Sequence, residues 1–217
     1  MTTYYKAARP DGTSFHDPTF RWLPVDGTIP GGGWLVEHPD ATSPMDHADS
    51  HLSVATAPTD CTGFEWPCRL LEVEPAWEVV TPEPHLLPHK RASKAWRVVR
   101  ELDPRLALGP NADRVLAVIE RAGRLTGAEE DRMAAVRTTA WYSAVNAAEA
   151  AARVAAWVAA ENATRVAVTA RAAMGVAVRD AAGDAAQAEL MRDLITQDQY
   201  NILTESWRAG VGDDWTR

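Results

Sequence analysis

The sequence predicts an α+β protein in two parts: a small mixed, β-rich N-terminal module (1–104) and an all-helical, alanine-rich C-terminal module (105–217). Three observations predict this. All six His and all but one of the fourteen Pro lie before residue 105, where short apolar runs alternate with turn residues. Residues 127–182 hold no Pro, one interior glycine (Gly175), and Ala at about two positions in five, the composition of long or stacked helices. At 217 residues and 46% apolar content the chain can build a core in each part.

In the N-terminal part, Thr2 to Ala8 reads as a strand, with Tyr4 and Tyr5 suited to a pleated surface. Arg9-Pro10-Asp11-Gly12 is a turn, because Pro presets φ and Gly accepts a positive one. Phe15 to Trp22 is expected as a second short strand broken by Pro18. Asp26-Gly27 and Gly31-Gly32-Gly33 mark a loop before the apolar strand Trp34-Leu35-Val36. The triple glycine lacks the Lys-Ser/Thr and the following helix of a phosphate loop. Residues 37–50 are polar and proline-broken, and His51 to Ala57 returns to strand character. The clearest strand is Cys68 to Glu74, followed by Trp77–Val80 as its extension or a new strand. Lys90 to Leu102 reads as a helix or as a helix leading into a strand over 96–102, since Val98-Val99 favours a strand at its end.

These residues carry a resemblance. The YYKA-RPDG start, Thr62-Gly63-Phe64, Glu72-Val73-Glu74, Lys90 and Arg97-Val98-Val99-Arg100-Glu101-Leu102 together resemble a domain of unknown function that recurs in phage and actinobacterial proteins. That family's members carry a "GFH"-like strand, then "EVE", then "K…IVREL". The AAW and AAR units of the alanine-rich tail are similar to its actinobacterial and actinophage members. The resemblance implies an origin and no activity. A more distant one is to ADP-ribosyltransferases of the Arg–Ser–Glu type, by the order of Arg9, Ser53 and Glu72 or Glu74. It implies that Arg9 anchors NAD, Ser53 holds its ribose and a glutamate polarises the ribose hydroxyl. The serine strand reads HLSVATAP instead of Ser-Thr-Ser, and about twenty residues separate it from the glutamates. Glu72 and Glu74 also fit the plain alternation of a half-exposed strand.

The C-terminal part is expected to open with Gly109-Pro110, Pro standing at the first helical position. Val115, Leu116, Val118 and Ile119 give that helix a buried face, and Gly123 lies near its end. Thr126-Gly-Ala-Glu129 is a capping box that starts the long helix. Met133, Val136, Ala140, Trp141, Ala144, Val145, Ala148, Ala152, Ala155 and Val158 recur on it at spacings of three and four. A rod of that length is expected to break near 161–164 or Gly175, and Gly183-Asp184 to end it. A short helix through Leu194-Ile195 follows, and Thr196-Gln-Asp-Gln199 is a second capping box opening a helix to about Arg208. Alanine lets a partner helix approach closely, so this surface, with Trp141, Val145, Trp157 and Val158, is the expected interaction and self-association seam.

The formal charge of −8 and a pI near 5.2 argue against broad binding to a phosphate backbone. Lys90, Arg91, Lys94, Arg97 and Arg100, interleaved with Trp96, form the sole basic concentration, and Glu101 and Asp103 are placed to pair with it. The pairs His47/His51 (with Asp46 and Asp49) and His85/His89 have zinc-ligand spacing, but prolines interrupt both segments; exposed loop histidines are the ordinary explanation and no metal is expected. Cys61 and Cys68 are too few for a disulfide framework. No run of about 18 apolar residues occurs, and MTTYYKAARPDG lacks an apolar signal core, so the expectation is a cytoplasmic location (the host cytoplasm for a phage-encoded protein) without a membrane. The expected function is that of a phage or prophage-type, non-catalytic interaction protein without a cofactor. It would act on a host or virion protein and oligomerise through its alanine-rich helices. The alternative is an ADP-ribosyltransferase-like enzyme using NAD.

Overall fold

The protein is described by a computed structural model over residues 2–40, 42, 44–45, 50–61, 63–82, 84–85, 87–135, 176–190, 192–193 and 195–215. It divides into two units, Met1–Ala107 and Leu108–Arg217. The α+β class holds, with an antiparallel sheet in the first unit and helices in the second. The division falls inside a 3-10 turn, Pro104–Leu108.

Six strands build the first unit: β1 (Tyr4–Ala8), β2 (Trp34–Glu37), β3 (Leu52–Ala55), β4 (Arg69–Pro75), β5 (Lys90–Ser93) and β6 (Ala95–Leu102). They form one antiparallel sheet in the order β2-β6-β4-β1-β3-β5. Only Lys94 separates β5 from β6, although the two stand near opposite ends of that order. The sheet therefore curls until it closes. One bent segment, 90–102, pairs with β3 through its first half and with β4 through its second, while β1 joins β4 to β3. Ala8, Leu52, Val54, Leu71, Val73, Trp96 and Val98 face inward and make the core with Trp22, Leu23 and Val36. The Trp96 indole donates to the Leu52 carbonyl at 2.9 Å, and Tyr4 meets the ring edge-on at 5.2 Å.

Ladder parity locates the bend. Ala92 exchanges both backbone hydrogen bonds with Val80, and Ala95 accepts from Ala76, so these two face the β4 side. Ser93 lies opposite Leu52, while Lys94 accepts from the His38 N–H on the β2 side. Strict alternation would put Ala92 and Ala95 on opposite sides, so the segment carries one extra residue there, the geometry of a bulge. The buried Lys94 ammonium donates to the carbonyls of Asp40 (2.8 Å) and Ser50 (2.5 Å), tying both ends of the 39–51 loop to the bend. A second bulge, at Val99, shifts the register between β4 and β6.

Several expectations need correction. Phe15–Trp22 is no strand: one isolated bridge, Thr13–Arg21, spans it, and the Asp11 and Asp17 side chains bond Thr13 and Thr19 in local turns that compete with pairing. Trp77–Val80 makes only the Val80 bridge. Residues 90–93 are a strand, not a helix, because pairing with β3 outweighs the local helical propensity of KRASKA.

The second unit contains α1 (Ala112–Ala122), α2 (Gly127–Ala135), α3 (Val176–Leu190) and α4 (Gln197–Val211). Pro110 stands ahead of the N-cap Asn111 and not at the first helical position. The Thr196–Gln199 capping box is complete. At Thr126 the carboxylate half alone forms: Glu129 accepts the Thr126 N–H and hydroxyl, which with Arg121 hold it below the usual carboxylate range. Gly183 lies within α3 instead of ending it. A mid-helix glycine costs about 1 kcal/mol relative to Ala, which burial of Ala181, Ala182, Ala185, Ala186 and Ala188 offsets. Ile195 lies in a bend, not a helix. Gly210 lets α4 approach α2 closely, since a Cβ there would meet Met133 at 2.3 Å and the Glu129 carbonyl at 3.1 Å. The stretch 136–175, with the expected break points, lies outside the described residues.

The Lys94 clamp makes a direct prediction. Lys94→Met leaves two carbonyls of the 39–51 loop without their charged donor and should destabilise the protein by about 2 kcal/mol. Urea melts followed by near-UV circular dichroism measure it; an unchanged midpoint would remove Lys94 from the account.

Candidate functional site

The four residues of the transferase expectation do not converge. Arg9 follows β1 and is committed to the next turn, its Nε donating to the Ser14 carbonyl at 3.2 Å and its guanidinium lying 5.2 Å from the Phe15 ring. Glu72 lies on β4 opposite Tyr5, and Arg9 is four residues farther along the chain, just past the end of β1 and about 13 Å away at strand rise. Glu72 accepts from Arg100, directly across the ladder on β6, at 2.7 and 3.0 Å. Glu74 lies opposite Arg97. Ser53 is on β3, on the far side of β1 and about 10 Å from β4 by strand spacing.

The basic run is absorbed by the fold. Arg91 donates to the carbonyls of Pro88 and Lys90, Arg97 to that of Gly32, and Arg100 pairs with Glu72, while Trp96 is fully buried. Glu101 pairs with Arg69, not with the run itself. The Glu72–Arg100 pair lies on the outer face of β4 and β6, and Arg69–Glu101 at the rim of the core-facing side. Of the histidine pairs with zinc-ligand spacing, His47 lies outside the described residues, and His89 stands 3.6 Å from Asp60. Among the described residues no three His, Cys, Asp or Glu side chains gather as a metal site would require, and no helix is long and apolar enough to cross a membrane. Trp141, Val145, Trp157 and Val158 lie outside the described residues.

Two features of the first unit have functional geometry. One is the free edge of the sheet. At β5 the outward groups are occupied: Ala92 by Val80, the Lys90 N–H by the Leu87 carbonyl, and the Lys90 carbonyl by Arg91. At β2 they are not. His38 bonds Lys94 within the β2–β6 ladder, so by alternation Val36 and Trp34 also face β6, and Leu35 and Glu37 turn their N–H and C=O outward. Neither residue's backbone has a partner among the described residues, and the Leu35 side chain is 41% exposed.

The other feature is a cationic notch where β1 and β3 part. Their ladder registers only at Tyr5–Ala55; beyond it the Ser53 carbonyl accepts from Lys6 Nζ at 3.3 Å. Lys90, on β5, reaches the same notch and donates to the Asp60 carbonyl at 3.2 Å. Cys61 forms its floor, its sulfur facing the Ala7 N–H. Burial, then the neighbouring Lys90 charge, lowers Lys6 to about 8. Burial also lowers Lys90 and pushes the Cys61 thiol up to about 11 despite both ammonium groups, so the thiol is protonated and unreactive at neutral pH. Cys68 is likewise free and buried, pushed up to about 12. The sequence did hold a signal for Lys6: it shares strand parity with Tyr4 and Ala8, so a lysine stands on the core-facing side of β1, 4.9 Å over the Trp22 ring.

In the second unit the fully buried Glu189 accepts from the Tyr200 hydroxyl and lies 3.5 Å from both Arg114 and Arg192. Arg192 also covers the Tyr200 ring at 4.4 Å. Burial and then Glu189 push the phenol up to about 12. Each charge in this cluster has a partner, so the cluster fastens α1, α3 and α4 together.

Lys6 predicts a pH signature. Between pH 8 and its ordinary value of 10.5 the unfolded chain binds the Lys6 proton and the folded chain does not, so this group adds stability as pH rises through that window. Cys61 and Cys68 act oppositely above pH 9. The difference between wild type and Lys6→Met isolates the lysine. In chloride-free buffer Lys6→Met should be the more stable at pH 7, with its advantage shrinking from pH 8 to 10.5. A difference independent of pH in urea melts would contradict the cationic notch.

No protein-family model matches the chain, and neither the curated proteins nor the solved structures compared with it gave a match.

Proposed function

We propose that this chain is a non-catalytic interaction protein whose first unit receives an extended segment of a partner protein along β2. One observation carries the reading. The sheet closes its β5 edge with Val80, Leu87 and Arg91, yet leaves the Leu35 and Glu37 backbone groups of β2 facing outward. An added strand would satisfy those groups, and alternate side chains would supply specificity. The chemistry of the partner segment follows from the two positions. An apolar side chain would cover Leu35 and a Lys or Arg would oppose Glu37, a pairing that the net charge of −8 also favours. Self-association through the alanine-rich helices belongs to the same reading and rests on their composition. The resemblance to the phage and actinobacterial domain supports a host or virion protein as partner. Arg9 and Glu72 are each committed to other partners, which gives the NAD-using alternative no comparable support.

Proline scanning of β2 tests the reading on the full-length chain. The Leu35 N–H points away from β6, so Leu35→Pro costs the fold no ladder bond, whereas Val36→Pro removes one. Peptides selected by display on the wild-type protein should lose binding to Leu35→Pro by about 100-fold or more while its unfolding midpoint stays near wild type; Val36→Pro should lower that midpoint instead. Peptides that bind Leu35→Pro as tightly as wild type would refute strand addition at β2.

A further inference from the structure

We propose that the notch between β1, β3 and β5 is a binding site for a halide-sized monoanion, held between Lys6 and Lys90. The site is separate from the β2 edge and does not rest on the reading above. Two ammonium groups line one small concavity, and neither forms an ion pair within 4 Å among the described residues. Each has three N–H donors and spends one on a backbone carbonyl, Lys6 on Ser53 and Lys90 on Asp60. The nearest carboxylate, Asp60, is turned elsewhere: its Oδ2 accepts from the Thr56 hydroxyl at 3.1 Å and faces His89. Like charges on a partly buried surface repel, and an anion between them removes that cost while taking up the remaining donors.

Size selects the ligand. The concavity beside the two ammonium groups is small, about enough for one water-sized particle, which favours a single-atom anion over a tetrahedral oxyanion. The rest of the lining comes from Tyr5, Ala7, Ser53, Val54 and Ala55, with the protonated Cys61 thiol as a soft, polarisable floor. The strands fix the arrangement, because Lys6 and Lys90 sit on β1 and β5 with β3 registered to both.

Chloride-35 line broadening on the full-length protein tests this. The wild type should show a saturable excess linewidth that bromide competes away and phosphate at the same ionic strength does not. Lys6→Met and Lys90→Met should each weaken chloride binding about tenfold or more, while Arg124→Met, at an exposed turn position after α1, keeps it. Circular dichroism checks that each variant is folded, and the two lysine variants are independent should one fail. Equal broadening in wild type and both lysine variants would overturn the site. Competition by phosphate as effective as by bromide would overturn the size assignment.

Discussion

The first unit depends on the bend at Lys94. A straight strand over 90–102 would place all its partners in one flat sheet and leave two long edges. One extra residue at the bend lets the first half of the segment lie against β3 and the second half against β4, and β1 closes the ring. The same residue supplies the charge that holds the 39–51 loop, through the carbonyls of Asp40 and Ser50. Closure puts Trp96 at the centre, where its indole bonds the first residue of β3 and its ring meets Tyr4 of β1. A small sheet acquires an enclosed core this way, one that a flat sheet of equal length would have to borrow from another layer.

Closure also sorts the side chains into three environments with different chemistry. Inside the ring, apolar residues alternate with the outward charges; the Glu72–Arg100 pair crosses β4 and β6 on the outer face, and Arg69, which shares strand parity with Leu71, pairs with Glu101 at the rim of the core-facing side. Such pairs add little stability each, but directly opposed charges resist a slipped register. Where β1 and β3 part, two lysines meet over a protonated thiol, a positive spot on a chain of net charge −8. At β2 the backbone itself is the exposed chemistry. The helical unit handles charge by the opposite means, enclosing Glu189 among Arg114, Arg192 and Tyr200.

Legibility in the sequence followed the range of the determining interaction. Local signals were readable: the strand character of Thr2–Ala8, the strand over Cys68–Glu74 and the Thr196–Gln199 cap. Non-local ones were not. Residues 90–93 look helical alone and become a strand because β3 is beside them. Phe15–Trp22 looks like a strand and stays irregular because Asp11 and Asp17 satisfy its turns locally. Gly183 signals a helix end, yet packed alanines carry α3 past it. The candidate sites were least legible, because neither is a motif. Lys6 and Lys90 are 84 residues apart and meet only through β3, and the open edge at Leu35 depends on which strand lacks a neighbour.

The most direct test of this architecture is amide hydrogen exchange in the first unit, read residue by residue. The closed ring with one free edge predicts slow exchange at Trp34, Val36, Ala92 and Trp96, and exchange at Leu35 and Glu37 faster by about 100-fold or more, since their N–H groups face outward. Protection of Leu35 and Glu37 equal to that of Val36 would mean that β2 has a neighbour and that the binding edge does not exist.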